Sequence, residues 1–403
     1  MPEPDAVPDI DFVRGEFWGA NPHDELTWLR RNAPIHWDGR VWGVARHADV
    51  KAVSKDPATF SNAGGIRPDA GPVPMMIDMD DPEHGCRRKL VNRGFTPRRV
   101  RDSEDRIRSV CDEIIDRVCE AGTCDFVWDI AAPLPLIMIG DALGVAPEDR
   151  ATLLEWSDRM LRGLTGDQSA LEAATEAFVG YTEYAGRVIA DRRVEPADDL
   201  MSVLVHAEVD GDRLDHDSLV HESLLILIGG DETTRHVLSG GAWQVLSDRS
   251  RWDRLAADPA LLTGAVEEML RWVSPIKNMA RTVTRDVSLG GQRLEAGQKL
   301  ILLYPSANRD EDVFDDPFTF DITRTPNDHV AFGFGTHFCL GNSLARLELR
   351  VMFERLLDRL PDLELVEEAE PASRAANFVS GYEAMPVRFT PVARSSATAA
   401  AHR

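Results

Sequence analysis

The chain has 403 residues, of which 43% are hydrophobic, and a formal net charge of −23 at pH 7. This length and composition support a sizeable core, in one large domain or in two or three smaller ones. The excess of 68 acidic over 45 basic residues argues against a nucleic acid as partner. The five cysteines include no C-x-x-C pair, which argues against a disulfide scaffold and a structural zinc site.

The N-terminal part predicts a flexible segment followed by small helices and strands. Residues 1–20 begin with the proline- and acid-rich MPEPDAVPDI, which indicates a flexible N-terminus. HDELTWLRRNAP then predicts a helix that ends at Pro34, and Asp38–Gly39 marks a hairpin turn. No secretory signal follows Met1 and no apolar run is long enough to span a bilayer, so we expect a cytoplasmic protein without a membrane span.

A loop rich in glycine and proline, with an apolar tip, precedes a strongly basic helix. Met75 and Met76 at this tip would suit either an adaptable pocket wall or the protein core. His84 and Arg88 follow on one helical face, where they form either an ordinary surface pair or a site for carboxylates. Seven Lys or Arg residues and no acid occupy Arg87–Arg101. Such an island is either a solvated face or a surface that steers an acidic partner.

The middle of the chain is almost wholly helical in pattern and leads to the longest predicted helix, about His216–Asp248. Its centre reads LLILIGGDETTRHVLSGG. Adjacent glycines in a helix cost about 1 kcal/mol each relative to alanine, which indicates a bulge or the close approach of another group. Glu232 and Thr233 follow these glycines. A buried acid and hydroxyl need partners or a chemical role, and Arg235 offers a simple salt bridge as the alternative.

The C-terminal third combines a further helix, a strand-rich region and a tail. The helix TGAVEEMLRWVSP carries Glu268 three residues before Arg271, with Glu267 as an alternative partner for this arginine. Alternating patterns with glycine turns then predict strands, before the segment FDDPFTFDITR ends at Arg324. Residues 392–403 predict a disordered tail.

One cysteine lies where a glycine-rich loop becomes a helix. FGFGTHFCLGNSLAR places Cys339 between Gly335 and Gly341, directly before a strong helical pattern. A lone cysteine is commonly a small buried hydrophobe. At a helix start, however, free backbone N–H groups favour the thiolate, and glycines let a flat group approach the backbone. Cys339 is therefore a candidate axial ligand for a haem iron.

This loop resembles the haem-binding loop of the cytochromes P450, F-x-x-G-x-x-x-C-x-G. Its fixed positions are filled by Phe332, Gly335, Cys339 and Gly341. Four further motifs follow the family's order, namely H-x-x-x-R at His84, G-G-x-E-T at Gly229, E-x-x-R at Glu268 and F-x-x-P-x-x-F-x-x-x-R ending at Arg324. The resemblance implies a single-domain cytochrome P450 fold over residues 21–391, mainly α-helical with a small β region.

The resemblance also implies a role for each motif residue. Cys339 would ligate the iron of haem b. The remaining contacts to the haem ring and its propionates would come from His84, Arg88, Gly229, Arg281, Phe332, Gly335, His337 and Gly341. Glu232 and Thr233 would relay protons during dioxygen activation. A structural triad would consist of Glu268, Arg271 and Arg324.

The implied reaction is monooxygenation with two electrons from a ferredoxin that docks around Arg87–Arg101. The chain has no flavin or nicotinamide motif, so the ferredoxin reductase would be a separate chain. The stretches PMMIDMDDPEHGCRRKLVNRGFTPRRV, LILIGGDETTRHVLSGG and WVSPIKNMARTVTRD resemble actinobacterial P450s of the steroid 26/27-monooxygenase type. Those enzymes hydroxylate the terminal methyl of the side chain of cholesterol or cholest-4-en-3-one. Candidate substrate contacts are Met75, Met76, Leu225, Ile228, Val273 and Met279.

Other functions stay open at this point. The substrate could be another lipid, a fatty acid or a polyketide, with the same chemistry. A peroxide-driven enzyme would need no ferredoxin. A haem protein that only binds a ligand is the alternative from a different class, and Glu232–Thr233 argues against it because a sensor needs no proton relay.

Overall fold

A computed structural model describes residues 8–163, 168–209 and 211–395. Helices dominate this part of the chain. The α-helices are α1 (Gly15–Gly19), α2 (His23–Asn32), α3 (His47–Lys55), α4 (Glu83–Asn92), α5 (Pro97–Asp102), α6 (Glu104–Val118), α7 (Pro133–Leu143), α8 (Arg150–Arg162), α9 (Gln168–Val194), α10 (Leu200–His206), α11 (His216–Leu246), α12 (Arg249–Ala257), α13 (Leu262–Val273), α14 (Tyr304–Ala307) and α15 (Asn342–Arg359). The strands are β1 (Ile35–Trp37), β2 (Trp42–Val44), β3 (Phe60–Ser61), β4 (Thr123–Asp125), β5 (Asn278–Val283), β6 (Val287–Leu289), β7 (Gln292–Leu294), β8 (Lys299–Leu303), β9 (Glu364–Leu365) and β10 (Pro386–Arg388).

The strand-rich region predicted near the C-terminus joins the N-terminal hairpin in one sheet, with strand order β1-β2-β8-β5-β3. β1 and β2 form the hairpin, with Ile35 opposite Val44, and β2 runs parallel to β8. β5 pairs antiparallel with β8 and places Arg281 opposite Leu300. The other sheets have the orders β4-β10-β9 and β6-β7. The large sheet therefore holds Arg281 in a fixed position beside the helical core.

The largest hydrophobic core is built around α11, which packs against α7 and α13. Glycines on α11 allow this close packing. A Cβ on Gly240 would lie 2.7 Å from Val273, and a Cβ on Gly241 would lie 2.7 Å from Met269, both on α13. The second pair of glycines in the long helix thus lets two helices approach each other.

The described residues near both chain ends are better packed than the sequence analysis expected. Within the predicted flexible segment 1–20, the described residues 8–20 contain α1, and Phe12 and Trp18 are buried. The Trp18 indole N–H donates to the carbonyl oxygen of Phe12 at 2.9 Å. The prediction rested on proline and acid content and overlooked aromatic residues that gain stability from burial. In the tail, the Val392 N–H donates to the carbonyl oxygen of Cys119 at 2.8 Å. Residues 1–7 and 396–403 lie outside the described residues.

One stretch in the described part of the chain, Phe126–Leu143, is apolar and long enough to cross a membrane, although the sequence analysis expected none. However, 72% of this stretch is buried inside the protein. It comprises a π-helical segment, Phe126–Ala131, and α7, which pack against α11. The stretch is apolar on all sides because other elements surround it.

Candidate active site

A large cavity separates α11 from α15. Its empty space, counted with the opening to solvent, is about 1500 Å³. The walls are mostly apolar, and the polar side chains that reach the cavity come mainly from α4, α11, β5 and the loop before α15. The cavity is therefore bounded by the elements that carry the sequence motifs.

Cys339 lines this cavity from a tightly packed loop, three residues before α15 begins. Its backbone N–H donates to the carbonyl oxygen of Phe332 at 2.9 Å, which closes the loop. Gly333 and Gly335 have φ angles of +70° and +77°, in the left-handed region that favours glycine. A Cβ on Gly335 would lie 2.2 Å from the carbonyl oxygen of Ser54. Gly335 thus lets the loop pack closely against Ser54 of α3, and it does not line the cavity.

Burial raises the pKa of the Cys339 thiol. The backbone N–H groups of Gly341 and Asn342 and the charges of Arg88 and Arg346 act in the opposite direction. The sequence analysis expected the helix start to favour the thiolate, but in the protein alone burial is the larger effect. A metal ion at the sulfur would reverse this balance, because a coordinating thiol is deprotonated.

Two glycines leave room for a flat group in the cavity. A Cβ built on Gly229 of α11, or on Gly341 at the start of α15, would meet no other atom within 4 Å. Both residues line the cavity, one from each helix. A Cβ on Gly230, in contrast, would lie 3.1 Å from Ile139 of α7. The residues therefore fit a planar cofactor between α11 and α15, and Gly230 serves helix packing.

Nitrogen-bearing side chains cluster at the cavity wall where the sequence analysis placed the propionates. Arg281 is buried, and among the described residues its Nη1 donates to the carbonyl oxygen of Ala280 at 2.7 Å. Arg88 donates to the carbonyl oxygen of Phe338. The buried Nε2 of His84 has no hydrogen-bond partner within the described chain. These groups fit two carboxylates, because guanidinium N–H groups pair well with carboxylate oxygens and His84 Nε2 would gain the partner that it lacks.

His84 and His337 stack against each other, with ring centroids 4.0 Å apart. Burial lowers the pKa of His337 to about 3, and His84, Arg281 and Arg88 act in the same direction. Burial also lowers the pKa of His84. In the protein alone both rings are therefore neutral near pH 7 and can offer an N–H to a carboxylate.

The structure separates the two predicted proton-relay residues. Thr233 lines the cavity, and its hydroxyl donates to the carbonyl oxygen of Gly229 at 2.8 Å. Glu232 is 2% exposed and is not among the lining residues; it pairs with Arg235 at 2.6 Å and Arg374 at 2.7 Å. One step along a helix turns the side chain by roughly 100°. Thr233 is thus the member of the pair that can meet a ligand directly.

Arg374, which the sequence analysis did not single out, connects Glu232 with two further elements. Its guanidinium also contacts Asp158 of α8 at 3.0 Å and Glu383 at 2.7 Å. The network joins α8, α11 and the C-terminal segment. Because Arg374 is 142 residues from Glu232 in sequence, no local signal could have found this pair.

Two further carboxyl groups were also missed. Asp231 is fully buried, and neither of its oxygens has a hydrogen-bond partner among the described residues. Burial raises its pKa to about 7. Glu348 of α15 lines the cavity, and burial together with Asp231 raises its pKa to about 8. At neutral pH this pair therefore holds at least one proton.

Half of the candidate substrate contacts line the cavity, namely Met76, Leu225 and Met279. Met75 and Ile228 lie in the hydrophobic packing around α11. Val273 packs on Gly240 and lines a different cavity. Apolar lining residues that the sequence analysis did not name include Phe95, Pro135, Ile139, Ile226, Val237 and Leu344.

The proposed structural triad is assembled outside this cavity. Glu268 lies 2.7 Å from Arg271 and 3.1 Å from Arg324, and the first two are fully buried. Glu267, the alternative partner, instead pairs with Arg346 at 2.6 Å. The triad holds α13 against the segment that precedes the cysteine loop and contacts none of the cavity.

Comparison with known proteins agrees with these motifs. A cytochrome P450 family profile matches residues 244–377. A steroid C26-monooxygenase from Mycolicibacterium smegmatis is 56% identical, over 96% of this chain and 97% of that protein. A steroid C26-monooxygenase from Mycobacterium tuberculosis is 54% identical, over 96% of this chain and 98% of that protein. The structure of Mycobacterium marinum cytochrome P450 CYP268A2 in complex with pseudoionone is 34% identical, with a TM-score of 0.88 over 95% of this chain and 99% of that one. The chain therefore belongs to the cytochrome P450 family.

Proposed function

We propose that this protein is a haem-thiolate monooxygenase that hydroxylates the terminal methyl group of a steroid side chain. One observation carries the proposal: two proteins named steroid C26-monooxygenase are 56% and 54% identical to the chain over 96% of its length. The mostly apolar cavity supports it, because a steroid offers few polar groups for recognition. Cholesterol and cholest-4-en-3-one are the substrates that we expect.

Cys339 would ligate the iron of haem b, the cofactor of the family. When bound, haem b supplies electron transfer and the activation of dioxygen. Arg281 and Arg88 would neutralise its propionates, and His84 and His337 would donate hydrogen bonds to them. The lining glycines of α11 and α15 would let the ring lie against both helices.

Thr233 would hold a proton on the α11 side of the cavity. Its hydroxyl donates to the Gly229 carbonyl oxygen, and rotation about χ1 would let it donate into the cavity instead. Glu232 could supply a proton to this hydroxyl only after its ion pairs with Arg235 and Arg374 rearrange. Arg374 thus becomes a positioning residue for the acid.

The substrate would enter with its alkyl tail first. Met76 and Met279 contribute unbranched, flexible side chains to the cavity wall, and Leu225 adds a further apolar side chain. Such a wall fits a slim chain, and an end-on approach brings the terminal methyl to the reacting centre by geometry and not by bond strength.

Electrons would come from a ferredoxin, through a separate ferredoxin reductase, in the cytoplasm. Within the basic island Arg87–Arg101, Arg87 pairs with the buried Glu222 at 3.0 Å. The exposed members of the island are Lys89, Arg93, Arg98, Arg99 and Arg101. Phe338, next to Cys339, is 38% exposed. An acidic ferredoxin docked here should reduce the protein more slowly as ionic strength rises. Stopped-flow reduction rates that do not change with salt concentration would contradict this docking site.

Titration of the ferric protein with cholest-4-en-3-one, a fatty acid and a macrolide tests the substrate class. A ligand that enters the cavity and displaces water from the haem iron would shift the Soret band. We expect the largest shift at the lowest concentration with the steroid. A shift with the fatty acid or the macrolide, and none with the steroid, would contradict the steroid assignment. The protein would then be expected to hydroxylate the class of compound that produced the shift.

A further inference from the structure

A second cavity lies against a different face of α11. Its empty space, with the opening to solvent, is about 950 Å³. It is enclosed by the N-terminal helices, α11, the segments that follow α13 and α14, and the C-terminal segment. No described residue lines both this cavity and the cavity between α11 and α15, which we call the haem cavity.

Arg309 brings a positive charge at neutral pH to this second cavity. The side chain is 2% exposed, and its Nη2 donates to the carbonyl oxygen of Trp272 at 2.9 Å. Its Nε and Nη1 are buried, and neither has a hydrogen-bond partner among the described residues. A buried donor without a partner costs about 1–3 kcal/mol. Each of these two free N–H groups could donate a charge-assisted hydrogen bond to an oxygen of a carboxylate or phosphate.

Lys277 and His236 line the same cavity. In the described chain, Lys277 Nζ donates to the carbonyl oxygens of Val273 at 3.4 Å and Ser274 at 3.3 Å, which are long contacts. His236 is 1% exposed, and both ring nitrogens lack a partner among the described residues. Burial holds the pKa of His236 well below its usual value, so the neutral ring offers one N–H donor.

The remaining ionisable side chains that line the cavity are His23, Glu370 and Tyr382. Burial keeps the pKa of His23 well below its usual value, so this ring is neutral near pH 7. Glu370 is exposed at the rim and accepts a hydrogen bond from the Tyr382 hydroxyl at 2.6 Å. The inner part of the cavity therefore presents two basic side chains, Arg309 and Lys277, whose described hydrogen bonds go to carbonyl oxygens. The Arg309 guanidinium also lies over the Trp272 ring, 4.6 Å from its centroid.

We propose that this second cavity is a binding site for a small oxyanion, held by Arg309 and Lys277 with His236 as a further hydrogen-bond donor. The oxyanion could be a carboxylate with an apolar body or a phosphate group. Trp18, Trp272 and Phe318 line the cavity and would suit an apolar body. The site lies outside the haem cavity and does not depend on the proposed steroid activity.

Calorimetric titration of the haem-loaded protein with benzoate and with inorganic phosphate, at constant ionic strength in chloride, tests the site. We expect saturable binding of at least one probe, and the probe that binds identifies the source of the oxyanion. Lys277→Gln should weaken that binding at least tenfold, about 1.4 kcal/mol. Lys51→Gln serves as the matched control, since Lys51 does not line this cavity and pairs with Asp328 at 2.7 Å.

Proton uptake provides a second readout at the same site. Burial, followed by the charge of Arg309, lowers the pKa of Lys277 to about 7. A bound anion would raise that pKa, so binding just above pH 7 should take up a proton, measurable in buffers of different ionisation enthalpy. Uptake should vanish in Lys277→Gln. Binding of neither probe, or binding that is unchanged in a Lys277→Gln protein with the parent's Soret and circular-dichroism spectra, would overturn the proposal.

Discussion

Single side chains on α11 differ sharply in what they can do, although they are neighbours in sequence. Thr233 lines the haem cavity, Glu232 is held by two arginines, and Asp231 is buried without a hydrogen-bond partner in the described chain. The turn of the helix assigns these three positions to different surroundings. Their chemical roles therefore follow from rotation about the helix axis as much as from residue type.

Thr233→Ala should uncouple the consumption of NAD(P)H from product formation. The change removes the hydroxyl that lines the cavity, and general acid assistance of this kind contributes on the order of 10²–10⁴ in rate. We expect product formed per NAD(P)H consumed to fall by about tenfold, with the Soret band unchanged. Thr175→Ala is the control, because Thr175 makes the same type of bond, to the Leu171 carbonyl oxygen at 2.9 Å, on exposed α9. An unchanged yield in the Thr233 variant would remove the proton role from this residue.

Asp231→Asn should change how stability depends on pH. Burial raises the pKa of Asp231 to about 7 from its usual 3.8, so folding favours the protonated acid. The folded state holds this proton after the unfolded chain has lost it, and stability therefore falls as pH rises from about 4 to about 7. Without that ionisable group, the variant should gain about 1–3 kcal/mol relative to the parent between pH 5 and pH 8. Chemical unfolding at both pH values checks this, with the exposed Asp253→Asn as charge-matched control.

A constant difference between the parent and Asp231→Asn across this range would contradict the account of Asp231. It would mean that the ionised Asp231 carboxylate is stabilised in the folded protein by contacts other than those of the described residues. Glu348 is the neighbour to test next, because Asp231 contributes to its raised pKa.

At the scale of elements, the cysteine loop combines glycines of two kinds. Gly335 has a positive φ and packs against α3, whereas Gly341 has a φ of −83° and empty space beside it. Gly341→Val should therefore preserve the helical circular-dichroism spectrum and reduce the ratio of haem to protein. Gly335→Val should lower the yield of folded protein itself, because its side chain would collide with Ser54. Full haem content in Gly341→Val would contradict the placement of the cofactor.

Arg374 links three elements, and its loss should be costly. Arg374→Leu would leave Glu232 with Arg235 alone and remove the contacts to Asp158 and Glu383. Breaking a buried ion pair by removing one partner costs about 3–5 kcal/mol. Thermal unfolding should show this loss, while Arg388→Leu, which removes an exposed pair with Glu364, should cost less than about 1 kcal/mol. Equal effects of the two changes would mean that the network does not tie α8 to α11.

At the scale of the whole molecule, the sequence predicted those features that depend on residues close to each other in the chain. The helix-dominated fold, Cys339 at a helix start and the E-x-x-R pair each depend on residues within one or two turns. The same reasoning could not choose between Glu267 and Glu268 as the partner of Arg271. That choice depends on Arg346 and Arg324, which reach the two acids from other parts of the fold.

The features that escaped prediction all arise from contacts between distant segments. Arg374 reaches Glu232 across 142 residues, and the second cavity needs α2, α11 and the C-terminal segment together. The flexible N-terminus was expected from composition, but residues 8–20 pack through Phe12 and Trp18. Local patterns carry no information on such partners, because tertiary packing decides which apolar or charged groups meet.

Regiochemistry is the most direct test of the steroid assignment. The protein, loaded with haem and supplied with a ferredoxin, its reductase and NAD(P)H, would convert cholest-4-en-3-one under ¹⁸O-labelled dioxygen. Mass spectrometry and NMR of the product should show one labelled oxygen on a terminal methyl of the side chain. Oxygen on the ring system, or no turnover of steroids alongside turnover of another lipid, would contradict the proposed function.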